Sequence, residues 1–384
     1  MLELERTVLY VCKLLFSRKP LVLLFLCVLI ALSALAFSPG TRAQSPQFKG
    51  KIGDAAKFYT FNASPALQAA IHKRSTLIDT IPYWSSLFAY KGLTYPYQMV
   101  GTDPSAGSAT TRVQTEIIPL NLVFSNGTNF DGTTRVKATL KSPLFNDATY
   151  TSGETQYGDA VQRAEWWKYI SHSSYHVLLD WPQVYPTLTI NIPASVGSVA
   201  ANPNTGQPEG LIDITWFDPQ IQGLITSLGL SPQTFPIFLT TNTFLYERDP
   251  SQCCIIGYHN ALPSTNAQGK TVIQTYTWGT YNDPGMFRVP IQDINALSHE
   301  IAEWYNNPFI DNVVPTWSVP GAPQYGCSKA LEVGDPLVGV SFTVNGYHPQ
   351  DEAFYSWFAK QVPSVGINGQ YTYMGTFSGP TPTC

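Results

Sequence analysis

Charge is scarce in this sequence. Asp, Glu, Lys and Arg make up 12% of 384 residues, about half of ordinary usage. The net charge is -4 and there is no basic run, which excludes the clustered Lys and Arg that nucleic-acid binding needs to displace counterions from phosphates. No Gly-rich phosphate loop or dinucleotide fingerprint is present. No G-x-S-x-G elbow offers a serine nucleophile. There is no C-x-x-C pair, so a structural zinc knuckle is excluded. Internal repeats and long low-complexity tracts are also absent.

Apolar residues, by contrast, reach 44% and aromatic residues 13%, with 30 Pro and 28 Gly, the composition of a folded protein with a polar but weakly charged surface. The length suits one large domain or two ordinary ones. Arg6, Lys13, Arg18 and Lys19 precede an apolar stretch over 21–37, and Thr41-Arg42-Ala43 supplies a small-residue cleavage site. Residues 1–43 therefore read as a signal peptide, with Ala36 a second candidate site. An apolar run of about 17 residues is also at the lower limit for a membrane anchor, so membrane association is expected only if the segment is uncleaved. The remainder is expected to be secreted or extracytoplasmic. There Cys253, Cys254, Cys327 and Cys384 have three possible disulfide connectivities. A bond between the neighbours Cys253 and Cys254 would strain the backbone, so each is expected to pair with Cys327 or Cys384. Asn62-Ala63-Ser64 and Asn126-Gly127-Thr128 are glycosylation sequons.

An N-terminal segment over 44–107 contains a helix over 65–77 and ends in a turn-rich stretch. The domain proper, 108–384, begins with a strand over 113–124 that stops at Asn126-Gly127. Helical spacing of Ala160, Val161, Ala164, Trp167 and Ile170 predicts an amphipathic helix over 153–171. Strands are expected over 187–192, 211–217 and 236–246, with a short helix over 219–228 between the last two. A hairpin of 255–259 and 271–277 precedes a helix over 291–306 that Pro308 ends. Closing strands over 338–344 and 371–377 flank a short helix over 351–360. The fold class is α+β, a mixed or antiparallel sheet packed with helices.

The helix over 291–306 carries the chemistry. His299-Glu300-Ile301-Ala302-Glu303 follows the pattern H-E-x-x-E, and positions i and i+4 project from one helical face, so His299 and Glu303 can grip one ion. Glu300 is rotated by about 100° and reaches a water rather than the ion, the place of a general base. Leu297, Ile301 and Trp304 or Tyr305 anchor the opposite face. A third ligand comes from downstream: Glu332 first, then Asp335, which can instead orient His299. One His with two carboxylates neutralises a divalent cation and makes it a weaker Lewis acid than a His-rich shell would. Zn2+ is the expected ion, and the oxygen-rich set also suits Ca2+ or Mn2+. The competing reading is a solvated helix face. His259 on the preceding hairpin and His348 are residues of a kind more often structural, although His259 is placed to add a ligand. His172 and His176 read as structural.

His299-Glu300-Ile301-Ala302-Glu303, Asn307-Pro308, Trp317 and Glu332-Val333-Gly334-Asp335 resemble the progression of the phosphate-induced, exordium-like secreted proteins. They also resemble exported proteins with zincin-like motifs. The resemblance spans about 45 residues. It implies a metal-site helix after an edge hairpin, with 271–277 near a peptide-binding edge and Tyr276, Trp278 and Tyr281 lining the cleft. Two functions follow. The first is a secreted metallohydrolase, a peptidase acting on peptides or proteins. The second is a non-catalytic extracellular protein whose metal braces the fold or whose aromatic surface binds wall polysaccharide. A glycoside hydrolase using Glu332 and Asp335 is a third option that nothing else in the sequence supports.

Overall fold

In the computed structural model, residues 56–72, 79–266, 268–320, 326–382 and 384 are described. The expected signal peptide lies outside them. The chain passes through helix α1 (Pro65–His72) and a hairpin of β1 (Tyr83–Tyr90) and β2 (Leu93–Val100), then enters β3 (Thr110–Phe124). This strand is rich in β-branched residues and buried on both faces over most of its length, which suits the centre of a covered sheet. Gly127, at φ 86, supplies the turn conformation that returns the chain as β4 (Asn129–Asp131). Helix α2 (Thr133–Lys141), the hairpin β5 (Ala148–Tyr150) and β6 (Gly153–Thr155), α3 (Tyr157–Glu165) and α4 (Trp167–Ile170) follow. Next, β7 (His176–Leu179), β8 (Gln183–Val184) and β9 (Leu188–Ile192) pair in turn, parallel, with successive stretches of β3.

The strands β10 (Gly197–Ala201), β11 (Pro208–Asp213) and β13 (Thr243–Tyr246) form a small sheet, with α5 (Ile214–Leu228) and β12 (Thr234–Thr241) between the last two in sequence. In the large sheet β14 (Gly257–Thr265) pairs with β15 (Thr271–Tyr281), β15 with β12, β12 with β3, and β3 with β4. The sheet is mixed: β12 is parallel to both its neighbours, while β14 and β15 are antiparallel. Helix α6 (Asn295–Asn306), the pair β16 (Val313–Ser318) and β17 (Cys327–Ala330), and α7 (Tyr355–Phe358) complete the chain. Alternate residues serve opposite faces. Phe235, Ile237 and Leu239 of β12 join the core that contains α3 and α6, whereas Phe238 joins the core under α5. This is an α+β architecture with the sheet between helices. No helix among the described residues is long and apolar enough to cross a membrane.

Several expected boundaries are corrected. The strand expected over 211–217 stops at Asp213, whose carboxylate accepts the Thr215 N–H and caps α5, so the capping bond outweighs the β-branched run Ile212, Ile214, Thr215. The strand expected over 236–246 breaks at Asn242, which takes a left-handed conformation at φ 44 that Asn tolerates, and its halves enter different sheets. The helix expected from 153 begins at Tyr157, because Gly153–Thr155 pairs with β5. The site helix begins at Asn295 rather than 291, since Asp293 is held in a bridge to Asn282 at φ 47. The strands expected over 338–344 and 371–377 are replaced by isolated bridges, with Gly339, Asn345 and Gly346 all at positive φ. The cysteine pairing is also corrected. The peptide between Cys253 and Cys254 is cis, their Cα atoms lie 3.0 Å apart, and they are bonded to each other, while Cys327 is bonded to Cys384. A cis peptide brings neighbouring Cα atoms to about 2.9 Å, against about 3.8 Å across a trans one.

The site helix is fixed from several sides. Phe235 stacks on Trp304 with ring centroids 3.7 Å apart, and the indole N–H of Trp304 donates to Thr275 Oγ1 at 3.0 Å. The Tyr305 hydroxyl donates to the Val177 carbonyl at 2.9 Å. Gly279 lets β15 approach closely, because a Cβ there would lie 2.6 Å from Leu297 Cδ2.

Candidate metal centre

Every residue of α6 is buried. A helix with apolar residues all round is normally the buried kind, yet this one also buries Ser298, His299, Glu300, Glu303 and Asn306. The solvated-face reading is therefore excluded: these groups are desolvated and must find partners inside the protein.

The one-turn spacing places His299 Nε2 3.0 Å from Glu303 Oε1. Glu303 Oε1 also accepts the backbone N–H groups of Gly334 at 3.1 Å and Asp335 at 3.3 Å, so the loop after β17 closes directly onto the helix. From the other side the hairpin delivers His259, with Nδ1 3.1 Å from Glu300 Oε2 and 3.7 Å from Glu303 Oε2. Glu332 Oε2 lies 3.9 Å from His259 Nε2, and Asn307 donates to Glu332 Oε1 at 3.1 Å. Two triads result, His299 with Glu300 and Glu303, and His259 with Glu303 and Glu332, the potential ligand atoms of each lying within 4.8 Å of one another. Glu303 belongs to both. Asp335 is in neither triad; its Oδ1 is 3.9 Å from His299 Nε2 and its side chain is 22% exposed.

Burial dominates the electrostatics. It pushes the carboxyls of Glu300, Glu303 and Glu332 well above the ordinary range, and neighbouring carboxylates push them further. Asp335 is raised by the same burial, with His299 opposing. Glu352, which accepts the Tyr157 hydroxyl at 2.8 Å, is also raised by burial. The histidines go the other way: burial lowers His259 to about 3 and His299 to about 4. Neutral imidazoles beside crowded carboxyls demand either protons on the acids or a cation among them.

The donor set fits a cation. His299 Nε2, Glu300 Oε1 and Glu332 Oε2 are buried without a hydrogen-bond partner among the described residues, in a region where such atoms are costly. His259 is prepared as a ligand. Its Nε2 lies 3.2 Å from the Asn307 carbonyl, so that nitrogen carries the proton and Nδ1 turns a lone pair toward Glu300 and Glu303. His299 is held differently. The Gly334 carbonyl, 2.8 Å from Gln350 Nε2, fixes that amide with its N–H groups inward, and the same nitrogen is 2.8 Å from His299 Nδ1. The ring is thus fixed from its Nδ1 side, with Nε2 directed at Glu303.

Spacing within α6 pointed to His299, Glu300 and Glu303, and the downstream acids pointed to Glu332. His259 has no local signal of this kind, because only the pairing of β14 with β15 carries it to the helix. His348 lies outside the cluster, with its Nδ1 2.6 Å from Asp293 Oδ2. His176 likewise pairs with Asp159 at 2.8 Å. Tyr276 and Trp278 are core residues rather than a cleft lining; Tyr276 donates to Asp218 at 2.7 Å. The strand over 271–277, expected near a peptide-binding edge, is flanked on both sides, and its neighbour β14 is the strand that ends the sheet. Gly334 had no sequence signal, yet a Cβ there would stand 2.3 Å from His299 Nδ1. Gly334→Ala is accordingly expected to push the imidazole aside, at a cost of roughly 1–3 kcal/mol. A thermal melt with elemental analysis checks it; an unchanged melt would show that the ring has room to yield. No family model, curated protein or solved structure matches the chain.

Proposed function

We propose that the protein is an exported metal-dependent hydrolase acting on peptides. The observation that carries this reading is the buried convergence on Glu303 of two histidines and two further glutamates, with three of their polar atoms unpartnered. His299 and Glu303 would hold the ion, with Glu332 and His259 completing its surroundings and Asp335 behind His299. The ion is expected to be Zn2+, while the share of carboxylate oxygen also suits Mn2+ or Ca2+. When bound, such an ion polarises a carbonyl and makes water more acidic.

The chain's own groups supply the proton transfers. Glu300 keeps Oε1 free while Oε2 faces His259. Burial raises its affinity for a proton, so it can take one from an attacking water and return it to the leaving amine. Glu300→Gln removes that exchange while preserving shape. Hydrolysis of a peptide mixture is expected to fall by about 100-fold or more, with metal content unchanged. Turnover equal to the parent would sink the reading.

The near-complete burial of His299, Glu300 and Glu332 favours one alternative, a metal that braces the fold without catalysis. In that case chelation lowers the melting temperature and no peptide is hydrolysed by any form of the protein. The bonded cysteines support an oxidising, extracytoplasmic location.

A further inference from the structure

The cluster is covered by the segment just ahead of α1. The Lys57 N–H donates to the Cys254 carbonyl at 2.9 Å, the Ile256 N–H donates to the Lys57 carbonyl at 3.0 Å, and the Tyr59 N–H donates to the Gly257 carbonyl at 3.3 Å. Residues 57–59 thus run alongside residues 254–257, where β14 begins, joined to them by a parallel bridge between Lys57 and Ile255. Alternate side chains of an extended segment point to opposite sides, and here Phe58 is the one that turns inward. Its ring stacks on the His299 imidazole with centroids 3.3 Å apart and planes 7° from parallel. Two residues on, Thr60 is near enough to the Asp335 carboxylate to favour its charged form. Gly257 makes the approach possible, since a Cβ there would fall 2.8 Å from Glu300 Oε1 and 3.1 Å from Phe58 Cδ1.

We infer that residues 56–60 occupy, within the same chain, the track that an extended peptide substrate takes, with Phe58 filling the position of an aromatic substrate side chain. The segment makes the contacts of strand addition: main-chain bonds hold an extended peptide to a sheet edge, and an inward side chain gives selectivity. It lies against one proposed ligand, one candidate acid and the edge strand together. What the track serves rests on the hydrolase reading; its capacity to accept a peptide does not. The preferred substrate is accordingly an extended peptide with an aromatic residue. The segment is a tethered competitor, present at an effective concentration in the millimolar range, and its displacement opens the cluster.

The test uses the full chain carrying Phe58→Ala and Tyr59→Pro, which removes the ring and the N–H bonded to Gly257. The probe is a labelled synthetic peptide, Ala-Lys-Phe-Tyr-Thr-Phe, with the sequence of residues 56–61. The variant is expected to bind it at least about tenfold more tightly than the parent. Replacing the peptide's Phe at its third position with Ala should weaken binding by a further factor of about ten. Equal binding by parent and variant, or indifference to that Phe, overturns the inference. If the double variant does not melt cooperatively, Phe58→Leu is used, for which a smaller increase in the same direction is required. Metal content and turnover are measured on the same samples. Peptide binding without metal or turnover removes the hydrolase reading and leaves the track. Metal and turnover without competition by the peptide do the reverse.

Discussion

Replacing Glu303 with Gln is expected to abolish stoichiometric metal binding, the largest single effect available in this protein. Glu303 is the residue common to both triads. It is fixed by two backbone N–H donors on Oε1, so no rotation brings a substitute oxygen into place. Glutamine keeps the volume but loses the charge, and its NH2 group would face either those donors or His259. Removing one ligand of a metal site commonly lowers affinity by orders of magnitude. Elemental analysis of parent and variant checks it directly. A variant that retains the ion would mean that the metal, if present, sits elsewhere.

A second large effect is the pH dependence of the difference between chelated and metal-loaded protein. In the ion-free protein the carboxyls of Glu300, Glu303 and Glu332 are raised above their ordinary value by burial. Their contribution to stability is therefore complete below the ordinary value of 4.5 and is lost as the pH rises through the folded values. The depressed histidines contribute in the opposite sense, complete above 6.5 and lost as the pH falls through about 4 for His299 and about 3 for His259. Above pH 6.5 the two histidines no longer change, so within the cluster it is the raised carboxyls that make chelated protein weaken as the pH rises. Metal binding needs deprotonated ligands and strengthens over the same interval. At 1,000 times Kd the ion adds about 4 kcal/mol, a rise in Tm on the order of 8 °C for a chain of this size. Melts at pH 5.5 and pH 8, with and without a chelator, check this. A gap that does not widen with pH would mean that the cluster binds no cation.

Periodicity and residue type made part of this molecule legible. The spacing of His299, Glu300 and Glu303 read as one helix because period 3.6 is a local property, and β3 read as a strand from its own β-branched run. Features set by distant partners were not legible. His259 resembled any histidine on a strand until the hairpin carried it to α6, and Phe58 lies far from any motif in the sequence. The strand that divides at Asn242 failed for a related reason: one residue in a left-handed conformation redirects the chain, and propensity averaged over its neighbours does not register it. The bond between Cys253 and Cys254 was likewise not legible, since the isomer of the peptide between them is not written in residue type.

The bond between Cys327 and Cys384 closes a loop across a separation of 57 residues. Glu332, Asp335, Gln350 and Glu352 all lie inside that loop, whereas His259, His299, Glu300 and Glu303 lie before it. Reduction would remove that cross-link and enlarge the conformational freedom of the unfolded chain, lowering the stability of the fold that brings the two groups of residues together. The redox state of the compartment in which the chain folds thus bears on the stability of the whole cluster.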